Sequence, residues 1–196
     1  MDDMDRASQS MYGSQEYWFD NKIHSGEDNF GSGYYTNEIY KQVILNLRDI
    51  PKDGFIVVLG ANRCVSFEIL CNYFGYDRCI GYDLYNPTRH RRVVIKDVLT
   101  LSDVDNIPIA FCHNDIGSFP TTPLEKIAAQ EWAAKNVVSG GYFLGRNNKN
   151  AAKYEVEEFM TLQGFKNYMF EDLQGFFGMS KLDGPCVEGH MLSKKI

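Results

Sequence analysis

The chain has 196 residues, of which 44% are hydrophobic and 23% charged, with a formal net charge of −6. That length sets one domain with room for a three-layer core, and the acidic balance argues against a nucleic-acid backbone as partner. No run of about 18 apolar residues occurs, so no membrane-spanning helix is expected.

The start, MDDMDRASQSM, is acidic and polar. It lacks the basic-then-apolar layout of a signal peptide, and residues 1–15 are expected to be a flexible N-terminus ahead of a single domain at 16–196. The aromatic, Gly-rich run EYWFDNKIHSGEDNFGSGYY reads as a loop with anchoring rings, Tyr34 and Tyr35 among them. A helix is expected from about Thr36 to Leu47, with Ile39, Tyr40, Val43, Ile44 and Leu47 on one face. Pro51 and Gly54 separate it from a first strand, Phe55 to Leu59. A second helix should bury Ile69, Leu70, Tyr73 and Phe74 and stop at Gly75.

Cys79 to Asp83 is the expected second strand. The link from Tyr85 to Arg92 is too short for a substantial crossover helix, so one layer should be thin there. Its basic cluster, Arg89, His90, Arg91 and Arg92, reads as a solvated turn. Val93 to Lys96 forms the third strand and Ile109 to His113 the fourth. A helix over about Pro123 to Asn136 leads through Ser139-Gly140-Gly141 into a fifth strand, Tyr142 to Gly145. A further helix at Asn150 to Leu162 turns Ala152, Val156, Phe159 and Met160 inward. Strands at Phe165 to Glu171 and His190 to Ser193 have no helix between them, which predicts an antiparallel return.

The five cysteines (Cys64, Cys71, Cys79, Cys112, Cys186) have no Cys-x-x-Cys spacing. They point to reduced thiols and a cytoplasmic location rather than a disulfide frame or a zinc site. The first five strands end in Gly, Asp, Asn or another polar residue, where an open parallel sheet gathers its ligands beyond the carboxyl ends.

This order of elements resembles the class I SAM-dependent methyltransferases, over about residues 36–196. The resemblance implies a three-layer, Rossmann-like, seven-stranded mixed sheet in the order 3-2-1-4-5-7-6. It also implies S-adenosylmethionine as cofactor and a small-molecule acceptor as partner. In Val58-Leu59-Gly60-Ala61-Asn62-Arg63-Cys64, Gly60 matches the first glycine of the family's cofactor turn. Val58 stands where the family has an acid, and Asn62 and Cys64 where it has glycines. Asn tolerates the left-handed region, so Asn62 can preserve the turn. The resemblance assigns Gly60, Ala61 and Asn62 to the cofactor, with Asp83 and Leu84 at the ribose and Asp97 and Val98 at the adenine. Each acid has a plainer role available: Asp83 as a turn-forming residue and Asp97 as the partner of Lys96 in a surface ion pair.

IAFCHNDIGSFPTT resembles the macrocin-type sugar O-methyltransferases, with His113, Asp115, Phe119 and Thr122 on that family's pattern. There the first Asp binds magnesium. Here Gly117, Arg146 and Asn147 replace the other acids, and magnesium wants several hard oxygen ligands. A metal-free site is therefore expected, one whose activity survives EDTA, with His113, Asp115 and Arg146 as the catalytic candidates. His113 is either a general base or a packed strand-end histidine. Arg146 either binds an anionic substrate or bridges to Asp115. Two other functions fit the chain: a catalytically silent binding or scaffold protein with an eroded cofactor turn, and an NAD-type oxidoreductase, which the missing Gly-x-Gly-x-x-Gly disfavours.

Overall fold

In the computed structural model the described residues are 39–41, 43–45, 47–61, 65–84, 86, 88–115, 123–146, 153–169 and 190–196, with backbone alone at 65, 123–128, 146, 153–156, 169 and 190. Strands form at Phe55–Leu59 (β1), Cys79–Asp83 (β2), Val93–Ile95 (β3), Ile109–Asn114 (β4), Val137–Arg146 (β5), Phe165–Met169 (β6) and His190–Lys195 (β7). Residues 39–41 and 43–45 are helical (α1), followed by helices at Val65–Phe74 (α2), Pro123–Asn136 (α3) and Lys153–Leu162 (α4).

The strands join in one sheet in the order β3-β2-β1-β4-β5-β7-β6. The pairings from β3 across to β5 are parallel, while β7 runs antiparallel to both β5 and β6. This is the expected topology.

The two-residue period of β1 builds a core on each side of the sheet. Ile56 and Val58 join one cluster with α1 and α2, through Ile39, Tyr40, Val43, Phe67 and Leu70. Val57 and Leu59 join the other with α3 and α4, through Ala129, Trp132, Ala133 and Met160. These four strand residues are at most 2% exposed, which is why the segment reads as one continuous apolar run.

Three expectations need correction. Tyr73 is 59% exposed rather than buried. Helix α2 buries the expected Leu70 together with Phe67 and Cys71, the i, i+3, i+4 set of a single face, which leaves Tyr73 on the flank beside Phe74. The fifth strand starts at Val137, which pairs with Ile109, and not at Tyr142. Ser139-Gly140-Gly141 is thus an irregularity inside the strand, with Gly140 at φ +77°, and not a preceding loop. The fourth strand runs one residue further than expected, to Asn114. Residues 150–152 and 170–171, expected in the last helix and sixth strand, lie outside the described residues.

The layer is thin where the sequence says it should be. Residues 86 and 88–92 contain no helix, and β3 reaches β4 through two short 3-10 turns, Val98–Thr100 and Asp103–Asp105. Ion pairs close this stretch: Lys96 with Asp105 and Lys135 with Asp103. Across the sheet, Asp49 accepts from the Tyr142 hydroxyl at 2.7 Å and from Lys194 at 2.5 Å.

These carboxylates give stability a definite pH dependence. Lys135 holds Asp103, and Lys96 holds Asp105, below the ordinary carboxylate value. Burial alone would raise Asp49, but the bonds from Lys194 and Tyr142 bring it below as well. A folded pKa below the unfolded one means stability that is present above about pH 4 and lost as pH falls through the depressed folded values. The urea midpoint is expected to stay level from neutral pH towards pH 5 and to fall below about pH 4. In Asp49→Asn/Asp105→Asn that acid loss should be smaller. An equal loss in the variant would place the acid sensitivity elsewhere.

Candidate functional site

The crevice begins where β1 stops. Gly60 adopts φ +83°, a conformation that costs glycine nothing. The amides of Gly60 and Ala61 both donate to the Tyr82 carbonyl, at 2.8 and 3.3 Å. The turn after β1 is therefore tied to the carboxyl end of β2. Ala61 is buried at 7% exposure and packs over Gly81, where an added Cβ would lie 2.9 Å from the Ala61 methyl. Asn62 lies outside the described residues.

Leu59 pairs with Tyr82, so Gly60 and Asp83 follow one another at the ends of adjacent strands. Asp83 and Leu84 are half-buried, and the Asp83 carbonyl accepts from the Lys96 amide at 2.8 Å. Asp97 caps the first 3-10 turn: its Oδ1 accepts from the Leu99 amide at 2.9 Å. Lys96 does not pair with Asp97, as an alternative reading of the sequence had it, but reaches Asp105. Val98 is buried beneath this turn.

The fourth strand supplies the other wall. The Asp115 amide donates to the Leu59 carbonyl at 2.9 Å, which sets Asp115 beside the turn after β1. His113 is fully buried and faces α1. Its Nδ1 lies 2.6 Å from the Tyr40 hydroxyl, with the rings edge-on at 5.3 Å and 89°. Its Nε2 lies 3.9 Å from Asp115 Oδ1. The pairing of Asn114 with Gly145 places Arg146 across from Asp115 at the strand ends; the Arg146 side chain is outside the described residues.

These contacts set proton positions. Burial raises the Tyr40 pKa well above its ordinary value, reinforced by the Asp115 charge and by Cys112, so Tyr40 remains a protonated phenol. The Asp115 carboxylate favours the imidazole tautomer with its proton on Nε2, turned toward the negative charge. Tyr40 then donates to Nδ1. In that state the lone pair of His113 is engaged inward, and Asp115, 24% exposed, is the carboxylate at the crevice. Tyr40 carries no functional signal in the sequence beyond its place on a buried helical face. The one hint is general: a buried tyrosine hydroxyl needs a partner.

The groups fit one half of the expected cofactor well. Gly60 offers backbone without a Cβ, and the Asp83 carboxylate can accept from two neighbouring hydroxyls, as a ribose presents. For the methionine end, Val58 is apolar and 2% exposed on the α1 side of the sheet. At these strand ends the described donors do not gather into a set of three that would hold a metal ion.

Comparison with known proteins places the fold. No family model and no curated protein matches the chain. Among solved structures, it is similar to magnesium protoporphyrin IX methyltransferase from Synechocystis with bound SAM (TM-score 0.61, 10% identity, 100% of this chain and 98% of that one). It is also similar to a SAM-bound amino pentose methyltransferase from Micromonospora echinaspora (TM-score 0.59, 13% identity, 86% and 93%). A third is an rRNA methylase from Streptococcus thermophilus (TM-score 0.56, 11% identity, 80% and 95%). At these identities the likeness is one of fold: the chain has the mixed seven-stranded sheet of SAM-dependent methyltransferases.

Proposed function

We propose that this chain is a SAM-dependent methyltransferase that O-methylates a small, polar, sugar-like acceptor without magnesium. The observation that carries the reading is the placement of Gly60 and Asp83 at adjacent strand ends, in the crevice where open α/β sheets bind nucleotides. Similarity to an amino pentose methyltransferase supports the acceptor class. The net charge of −6 supports a small molecule over RNA, despite the rRNA methylase among the similar folds. Buried free thiols at Cys71, Cys79 and Cys112 support the cytoplasm, and no described helix is long and apolar enough to cross a membrane.

When bound, SAM supplies an activated methyl group on its sulfonium. The chain's own work is placement, which supplies most of the acceleration in such transfers. Asp83 would hold the ribose hydroxyls, Gly60 and Ala61 would give the cofactor close access to backbone, and Asp97 and Val98 would take the adenine. Asp115 accepts the proton of the acceptor hydroxyl. His113, fixed by Tyr40, sets its Nε2 3.9 Å behind Asp115, and Arg146, on the next strand, is assigned to balance the charge.

Calorimetry with SAM, its demethylated product and NAD tests the reading. Binding of the first two and not of NAD is the expected result. Asp83→Ala should weaken SAM binding by about 1.5–3 kcal/mol, the range for hydrogen bonds to a charged group. Unchanged binding in that variant would remove Asp83 from the site. Transfer is expected to continue when magnesium is omitted. A second reading, a binding protein with this fold and no transfer step, draws on Val58 in place of the expected acid; failure of the native chain to bind SAM would favour it.

A further inference from the structure

Away from the strand-end crevice, three side chains that are scattered in sequence converge between α2 and the β2–β3 connection. Glu68 and Cys71 sit on successive turns of α2, and His90 lies in the connection. The carboxylate, thiol and imidazole donor atoms of these three all lie within 4.8 Å of one another. Cys79, the first residue of β2, is buried in the same core cluster as Cys71 and stands next to this group of three without belonging to it. Cys71 and Cys79 are at most 1% exposed.

The surroundings hold these groups firmly. His90 stacks on Tyr76 at 15° and meets Phe67 edge-on at 5.2 Å. Its backbone is fixed by Asn86, which accepts from the His90 amide at 2.8 Å and donates to the His90 carbonyl at 2.9 Å. Glu68 accepts from His90 Nε2 at 2.7 Å and from the Tyr76 hydroxyl. A tetrahedral zinc ion spaces nitrogen, oxygen and sulfur ligands about 3.3–3.8 Å apart, given its usual bond lengths. Rotamer adjustments of roughly an ångström would therefore close these three, and a rotation of the neighbouring Cys79 side chain would supply the fourth ligand.

We propose that Glu68, Cys71, Cys79 and His90 form a structural zinc site that clips α2 to β2 and to the helix-free β2–β3 connection. Mixed thiolate and imidazole ligands select zinc over hard cations. On binding, both thiols release their protons to solvent and the imidazole proton moves from Nε2 to Nδ1. The contact from the Arg92 amide to Nδ1, long at 3.2 Å, is then given up. Two thiolates and a carboxylate around Zn²⁺ leave one net negative charge. The Arg92 guanidinium, whose Nε donates to the Cys79 carbonyl at 2.8 Å, lies beside the site and offsets that charge. The ion would do for this layer what a crossover helix does elsewhere in the sheet. The site does not depend on the methyl-transfer reading and stands or falls apart from it.

Cobalt(II) is the probe. The full chain, freed of metal under reducing conditions and titrated with cobalt(II), should take up one ion with thiolate charge-transfer bands and the intense visible bands of tetrahedral cobalt. Zinc should bleach them and raise the thermal midpoint. Cys71→Ser and His90→Gln are each expected to lose the charge-transfer bands or weaken binding at least tenfold, whereas Cys112→Ser, on the opposite face, should keep them. Circular dichroism shows whether each variant is folded; if Cys71→Ser is not, Cys79→Ser takes its place. A weak octahedral spectrum in the native chain, or bands that survive both ligand variants, would overturn the site.

Discussion

Asp115→Asn is expected to lower kcat for methyl transfer by about 10²–10⁴-fold, the usual contribution of a positioned general base, with SAM affinity unchanged. The asparagine keeps the shape and the amide bond from residue 115 to Leu59 but cannot take a proton. Tyr40→Phe should act through the same chain at one remove. Without the phenol, the fully buried Nδ1 of His113 loses its 2.6 Å partner, a cost of about 1–3 kcal/mol for an unsatisfied buried group. The ring is then able to carry its proton on Nδ1, which turns a lone pair instead of an N–H toward the Asp115 carboxylate 3.9 Å away. The distinguishing measurement is the pH profile of kcat: Tyr40→Phe should move its limb, while a purely structural role would lower stability and leave the profile in place. If Asp115→Asn retains native kcat at every pH, the base assignment is wrong.

Much of the sheet was legible because burial writes directly into the sequence. Ile56, Val57, Val58 and Leu59 lie under helices on both sides, so the run is uniformly apolar and bounded by Gly54 and Gly60. The break after β2 was legible for a geometric reason: eight residues cannot both reverse direction and form a crossover helix. The irregular part of β5 was not, because a Gly-Gly pair that bends a strand and a Gly-Gly pair that precedes one look the same in one dimension. The pairing of Val137 with Ile109 distinguishes them only in three. Tyr73 shows the matching weakness for helices: Phe67, Leu70 and Cys71 outline the buried face once the sheet's position is known, while the apolar count alone admits either flank.

The candidate site divides in the same way. Gly60, Asp83 and Asp115 could be singled out because each ends an apolar run. Tyr40 and His113 are 73 residues apart, and nothing near either one announces the other. The Glu68, Cys71, Cys79 and His90 group is hidden more thoroughly. Its spacings match no local metal motif, and the basic run containing His90 reads as a solvated turn. Only the fold brings those donors together.

Gly81→Val should destabilise the protein by about 3 kcal/mol, at the upper end of what overpacking costs. Two effects oppose each other here. Valine in a strand gains roughly 0.5–1 kcal/mol over glycine from backbone entropy and β propensity. Against this, even the first added carbon at residue 81 would lie 2.9 Å from both the Ala61 methyl and Val93 Cγ2, and 3.3 Å from the Phe67 ring. Ala61 has little room to yield, because its amide and that of Gly60 are bound to the Tyr82 carbonyl. Packing therefore outweighs propensity, and the displacement is carried into the turn that faces the strand-end crevice. Both the urea midpoint and SAM affinity are expected to fall. Gly81→Val/Val93→Ala should recover part of the stability, since the two side chains compete for one space and their effects cannot be additive. A Gly81→Val variant as stable as the native chain, or a double variant whose losses simply add, would refute the close packing between β2, β3 and the Gly60 turn.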